Sequence, residues 1–395
     1  MNVPAPQPSV KATPVRRARD PRLDFFRGLG MFIILIAHVR SNSWASWIPA
    51  RFGFSDAADM FVFCSGMASS LAFGRLFVET GWWQGTARIL FRIWQVYWAH
   101  IGSFLIVCLV MLTADSWIGS EHYINGEIPI GEFLQNVRER LPQFLTLHYT
   151  PAYFDILPMY LAILAMVPIV MGLAKIDPRL AGAFVVACWI GANFFGLNFI
   201  GDQKTGEGWY FNPFGWQLIF FTGFALIRGW LPAPPINRAL VITSISIVVA
   251  AAPISCQEGY QCYAGFGHAP VLADVQDHLR EWWTGKNNYG FLRYIHFMST
   301  VYLAFVLAGE RGRNLKGPLV DITLQVGQQT LAVFLTGLVA AQIMGIALDL
   351  MGRTFVTQAL VNLAGFAILI AAARVVGWFK SPPWRGPAKT SAGAA

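Results

Sequence analysis

The chain has 395 residues, 55% of them hydrophobic and only 13% charged, with a mean hydropathy of +0.49. Soluble domains carry about 25% charged residues, so the composition excludes an ordinary soluble enzyme and predicts an all-α, polytopic integral membrane protein. The formal charge of +8 reads as a topology signal, and nucleic acid is not an expected partner.

Residues 1–22 contain Arg16, Arg17, Arg19 and Arg22 among prolines, with no apolar core. They read as a flexible basic tail facing anionic lipid headgroups rather than as a cleavable signal. A membrane domain is expected over 23–378, followed by a second flexible tail at 379–395. Ten apolar runs of spanning length follow one another, at about 25–47, 54–74, 89–113, 152–174, 179–198, 214–230, 237–255, 291–308, 319–347 and 354–377. Gln325, Gln328 and Gln329 interrupt the ninth. Threading the chain from a cytoplasmic tail leaves most of the 29 Lys and Arg residues on the cytoplasmic side. Both termini are therefore expected inside.

The first run holds Asp24, Arg27 and His38, which lipid would normally exclude. Arg27 and His38 are close to three helical turns apart, so they share a face at about 16 Å separation, with Asp24 near the same stripe. A charge near one mouth and an imidazole near the bilayer middle point to a pathway or reaction centre. The second run opens with Asp56 and Asp59 on one side of a helix start. A cap and a dipole partner account for one carboxylate; the second leaves room for a role near an external substrate.

In the third run Arg88, Arg92 and His100 fall along one stripe. Two arginines one turn apart suit the phosphates of a cytosolic donor, and the positive-inside bias is the plainer account. Asp155 enters the fourth run with no neighbouring cation in sequence and needs a partner from elsewhere in the fold or from a sugar hydroxyl. Pro158 is expected to kink that helix. Around the sixth run, Trp209 to Gln217 surrounds Asn212 and Gln217 with aromatics, as an interfacial belt or a sugar-binding surface would. Tyr294 and His296 in the eighth run divide in the same way.

The longest connections, 114–151 and 256–290, fall on the outer side, and loops of such length often serve as lids or substrate platforms. Cys256 and Cys262 flank a short outer segment and are a candidate disulfide, with two free thiols as the alternative. Cys64, Cys108 and Cys188 read as packing residues, and no metal-ligand spacing is present. No hydrolase, zinc-protease or phosphate-loop pattern occurs.

The blocks Asp-Phe-Phe-Arg-Gly (24–28) with His38, Phe52 to Gly66, Arg92 to His100, Asp155-Ile-Leu-Pro158 and Phe211 to Gln217 resemble the OpgC family, in order, from about residue 20 to 380. That resemblance implies an inner-membrane protein that succinylates osmoregulated periplasmic glucans, related to the type 3 membrane acyltransferases. In those relatives an Arg and a His separated by ten residues in the first helix are essential, and Arg27 and His38 fit. The sequence departs from the pattern at Ala37, where an acid often precedes the His, at Thr150-Pro-Ala-Tyr, and at Met67. The implied reaction is O-acyl transfer from a cytosolic acyl-CoA, succinyl-CoA in the first instance, to a glucan hydroxyl. Arg27, Arg88 and Arg92 would hold the donor's phosphates, and His38 would act as general base with Arg27 and Asp24 completing its stripe. Asp56, Asp59, Asp155 or His100 would orient the imidazole or the acceptor. A covalent acyl-His relay, a glycan or donor transporter, and a non-catalytic membrane subunit are the competing readings.

Overall fold

The computed structural model describes residues 20–119, 121–126, 128, 130–255, 279 and 283–381. Cys256 and Cys262 lie outside the described residues. Among the described residues the architecture is helical: α1 (Pro21–His38), α2 (Ala57–Glu79), α3 (Trp82–Ile118), two short helices α4 (Ile130–Gln135) and α5 (Val137–Leu145), α6 (Ile156–Ile176), α7 (Pro178–Phe194), α8 (Pro213–Arg228), α9 (Arg238–Ile254), α10 (Phe291–Ala308), α11 (Pro318–Gln328), α12 (Thr330–Met351) and α13 (Phe355–Lys380).

Local chemistry sets the helix starts. Asp20, Asp177 and Asn212 each cap the first turn through the side chain, and each is followed by proline, whose missing N–H costs nothing there. Pro158 also falls in a first turn, that of α6, so it interrupts no helical hydrogen bond and the expected kink at that residue has no basis.

Helix length and composition bear out part of the ten expected spans. Among the described residues six helices, α2, α3, α6, α10, α12 and α13, are long and apolar enough to cross a bilayer, and α7 and α9 are apolar but only 17 residues each. The first run ends as a helix at His38, and residues 43–47 form a 3-10 turn instead. The ninth run is two helices, broken at Gln329, whose side-chain oxygen accepts from Lys380 Nζ at 2.6 Å.

Two helix crossings are close enough to require glycine. α1 meets α11 where a methyl on Gly28 would overlap Thr323 O and one on Gly327 would overlap Asp24 O. α2 meets α8 where a methyl on Gly66 would overlap the Phe220 carbonyl, with Gly223 facing Phe63 O in the same way. Bilayer lipid supplies no hydrophobic drive between helices, so backbone contact through small residues carries the association. The main core lies between α1, α2, α6, α8 and α12. A second, smaller core gathers Phe104, Phe133, Phe144 and Phe154 against α3.

Gly28→Val and Gly66→Val are expected to destabilise by about 1–3 kcal/mol or more, read as a fall in melting temperature of the detergent-solubilised protein. Gly102→Val, at a glycine with open space around it, is expected to leave that temperature within a degree or two of the parent.

Candidate functional site

Helices that alternate in direction bring the ends of α1, α7 and α9 together with the starts of α2, α6 and α10. Between them lies a cavity of about 1470 Å³, open at that end of the bundle.

His38, the last residue of α1, borders this cavity. It stands at the helix end, not near the middle of a span as its place in the first apolar run implied. Its Nδ1 lies 2.7 Å from the Ile34 carbonyl. A carbonyl can only accept, so Nδ1 carries the proton and Nε2 keeps its lone pair. The backbone thus supplies the orienting acceptor where Ala37 offers no acid. Tyr153 packs edge-on against the imidazole at 5.2 Å between ring centroids, and its φ of +70° is a conformation that bulky residues seldom adopt. The Thr150-Pro-Ala-Tyr153 segment therefore forms part of the cavity wall.

Opposite stands a buried ion cluster. Asp59, fully buried, accepts from Arg293 Nε at 3.0 Å and Nη2 at 2.5 Å. Asp56 lies 3.3 Å from the same guanidinium and 2.7 Å from Lys286 Nζ. The two aspartates also form a capping box, in which Asp59 accepts from the Asp56 N–H. Burial opposes the charge on Asp56, which precedes the spanning helix, but Lys286 and Arg293 outweigh it and hold its carboxyl far below the usual carboxylate range. Burial likewise works against Lys286, and Asp56 raises its pKa above the ordinary lysine value.

Asp155, immediately before α6, borders the same cavity. No ion pair to it occurs among the described residues, and burial pushes its carboxyl up to about 6. Near the rim, buried Arg140 of α5 binds Glu132 of α4 at 2.5 Å and Asp202 at 2.8 Å, with its guanidinium over the Tyr149 ring. Arg140 lowers the Glu132 pKa; at Asp202 burial works the other way and Arg140 outweighs it. The 114–151 connection is thereby fastened to the 196–208 loop, and Glu132, Tyr149 and Asp202 reach the cavity.

The remaining residues singled out from the sequence sit elsewhere. Asp24 is buried beside Arg27, 3.7 Å away, near the far end of the bundle. Arg88 lies over the Phe91 ring, and Arg92 bonds Gln95 at 3.3 Å. None of Asp24, Arg27, Arg88 and Arg92 borders the cavity. His100 is fully buried against Phe144 and Phe154, with neither ring nitrogen hydrogen-bonded, so the stripe from Arg88 and Arg92 ends in the smaller core. Asn212 caps α8 and reaches Leu197 O and Asn288, while Gln217 donates to Val185 O at 2.7 Å. Tyr294 bonds Thr222 at 3.2 Å, and His296 bonds Ser55 at 2.8 Å.

The aromatic and amide cluster around α8 has a scaffolding task. Carbonyls of four consecutive residues, Lys286 to Tyr289, accept respectively from Trp216 Nε1, the Asn212 N–H, Asn193 Nδ2 and Trp189 Nε1. These bonds fix the loop that presents Lys286. Sequence reasoning named Ser55 only as a helix cap, a place that Asp56 takes, and Tyr153 only within the departing Thr150-Pro-Ala-Tyr segment; it did not single out Lys286 or Arg293. Arg293 carried a readable signal, a charge inside an apolar run; Lys286 had none.

A helical membrane protein in which a large cavity joins an oriented imidazole, a carboxylate outside any ion pair among the described residues and a buried ion cluster has the features of an enzyme or transporter site. Residues 19–381 match the family model described as OpgC protein, and the chain belongs to the OpgC family. Membership carries a glucan-modifying, acyltransferase-like role at the level of the family. No curated protein and no solved structure matches the chain.

Arg293→Met leaves Asp59 buried without its partner and is expected to cost about 3–5 kcal/mol, whereas Arg293→Met combined with Asp59→Leu recovers most of it. Thermal unfolding of the single and double variants in detergent checks this.

Proposed function

We propose that this protein is an O-acyltransferase of the bacterial inner membrane, moving a succinyl or similar acyl group from cytosolic acyl-CoA to a hydroxyl of a periplasmic glucan. One observation carries the reading: His38, its Nδ1 held by the Ile34 carbonyl so that Nε2 is left to accept a proton, borders a large polar cavity that Asp155 also borders. A neutral imidazole with a fixed tautomer is suited to take a hydroxyl proton near neutral pH. The acceptor oxygen then attacks the acyl carbon, and Nε2 holds the proton that it leaves behind.

The cavity suits a glucan better than an anionic acceptor. Its bordering carboxylates, Asp56, Glu132, Asp155, Asp202 and Glu207, outnumber its cations Arg51, Lys286 and Arg293. Aromatic rings and amides, among them Tyr210, Phe211 and Asn193, complete a wall of the kind that binds sugar rings. Asp155 aligns the acceptor by receiving its hydroxyl hydrogen bonds, which accounts for a carboxylate with no cation beside it.

The distribution of Lys and Arg supports a reading in which the cavity end of the bundle faces the periplasm and both termini the cytoplasm. Arg27, Arg88 and Arg92 then lie toward the cytoplasm, where they would meet the phosphates of acyl-CoA. Asp24 supports Arg27 there.

The test is incubation of the purified protein in proteoliposomes with labelled succinyl-CoA and periplasmic glucan, followed by mass spectrometry of the glucan. Ester formation is expected, falling by about 100-fold or more in His38→Ala. Glucan crossing the bilayer with no ester from any acyl donor would overturn the enzyme reading in favour of transport.

Asp155 yields a second, opposite-signed pair of outcomes. Its carboxyl titrates near 6 when folded against an ordinary 3.8, so the ionised form weakens the fold, and that loss sets in as pH rises from 3.8 through 6. Asp155→Asn is expected to raise the melting temperature at pH 7.5 while lowering glucan esterification by about 10-fold or more. In the parent, KM for glucan is expected to rise as pH falls through about 6, and in Asp155→Asn that dependence is expected to vanish.

A further inference from the structure

A second His-based arrangement stands in the cavity wall, on residues that the proposed general-base chemistry does not use. Ser55 Oγ lies 2.8 Å from His296 Nδ1, across the joint between the start of α2 and the first turns of α10. Both residues are buried, at 6% and 4% exposure. Ser55 borders the cavity together with Gly53 and Phe54.

The imidazole is held on three sides. Ser55 meets Nδ1, the Phe54 ring packs edge-on at 5.7 Å, and a methyl on Gly53 would overlap the Nε2 edge. Nε2 itself is buried with no hydrogen-bond partner. An orphaned buried nitrogen costs stability, and His296, unlike His100 among its phenylalanines, pairs its other nitrogen with a hydroxyl at the cavity wall. A serine hydroxyl within hydrogen-bond reach of an oriented imidazole is the arrangement of an activated nucleophile.

We propose that Ser55 and His296 form a second reacting centre in this cavity, where Ser55 Oγ carries the acyl group between the thioester donor and the glucan hydroxyl. The inference rests on the acyltransferase reading and divides its reaction into two steps. In the first, Ser55 Oγ bonds to the thioester carbonyl carbon, the carbon–sulfur bond breaks, and His296 Nδ1 takes the serine proton and passes it to the departing sulfur. In the second, the glucan oxygen bonds to the seryl ester carbon and its proton goes to His38 Nε2. The bond to Ser55 Oγ breaks, Oγ takes a proton from cavity water, and His38 returns its proton to that water. Cleavage of the thioester drives loading, and ester-to-ester transfer is close to balanced. A donor from one side of the membrane and an acceptor from the other then need not be bound together.

Full-length protein incubated with labelled succinyl-CoA and no glucan, then digested and analysed by mass spectrometry, tests this. His38→Ala, blocked in the second step, is expected to accumulate a succinyl group on the peptide bearing Ser55. Ser55→Ala is expected to lose that label and to lower glucan esterification by about 100-fold or more. Ser55→Cys keeps the side chain's shape and is expected to take the label as a thioester, released by neutral hydroxylamine where the serine ester is not. His296→Gln is expected to slow loading without moving the KM for glucan. Glucan ester made by Ser55→Ala within a few-fold of the parent rate, with no labelled peptide from His38→Ala or Ser55→Cys, would overturn the relay and leave direct transfer standing. No ester and no label from any acyl thioester in the parent protein would overturn the acyltransferase reading itself.

Discussion

The buried ion cluster at the head of α2 and α10 fixes the geometry on which the cavity depends. Four charged side chains, Asp56, Asp59, Lys286 and Arg293, balance to zero, and each is satisfied only with the others in place. An unpaired charge at such a site is far costlier than a misplaced apolar residue. The two helix starts are thereby held in one register. That register sets Ser55 opposite His296, brings the 286–289 loop over the cavity, and gives Asp56 to its wall.

Rigidity behind the cluster comes from backbone contact. Gly66 and Gly223 let α2 and α8 touch, and Gly28 and Gly327 do the same for α1 and α11. From α8, Trp216 and Asn212 reach out to the loop that carries Lys286, joined by Asn193 and Trp189 of α7. The cavity is large because helix ends diverge beyond these crossings, and it keeps its shape because carbonyls of its loops are tied down individually. Arg140 serves the same end at the rim, joining α4, α5 and the 196–208 loop through two carboxylates.

Within that frame the two groups closest to the proposed chemistry differ from their surroundings. His38 is oriented by a backbone carbonyl, a partner that neither titrates nor moves independently of α1. Asp155 makes no ion pair among the described residues, and burial raises its pKa further than the charge of Lys286 lowers it. Asp56, Asp59, Glu132 and Asp202 are ion-paired, whereas Asp155 stands at the cavity with no ion-pair partner among the described residues.

Composition, apolar runs and charge distribution were enough to establish a helical membrane protein and its ordered blocks, because lipid constrains every residue of a span in a way that sequence displays directly. Helix starts at Asp20-Pro21, Asp177-Pro178 and Asn212-Pro213 are settled within four residues by capping, and the first of them falls in the stretch expected to be a flexible tail. Asp56, Asp155 and His38 were recognisable as out of place in apolar surroundings. Which polar residues would meet was not legible. The stripe on α3 looked continuous with that on α1, yet His100 ends among phenylalanines, Asn212 braces loops, and Gln217 ties α8 to α7. Lys286 reaches Asp56, and Ser55 reaches His296 across 241 residues. Such pairings depend on how helices cross and where their ends splay, and no local pattern encodes them. The sequence by itself determined that charge would have to be buried in a membrane; only the tertiary structure decided which charges would cancel and which would be left facing a cavity.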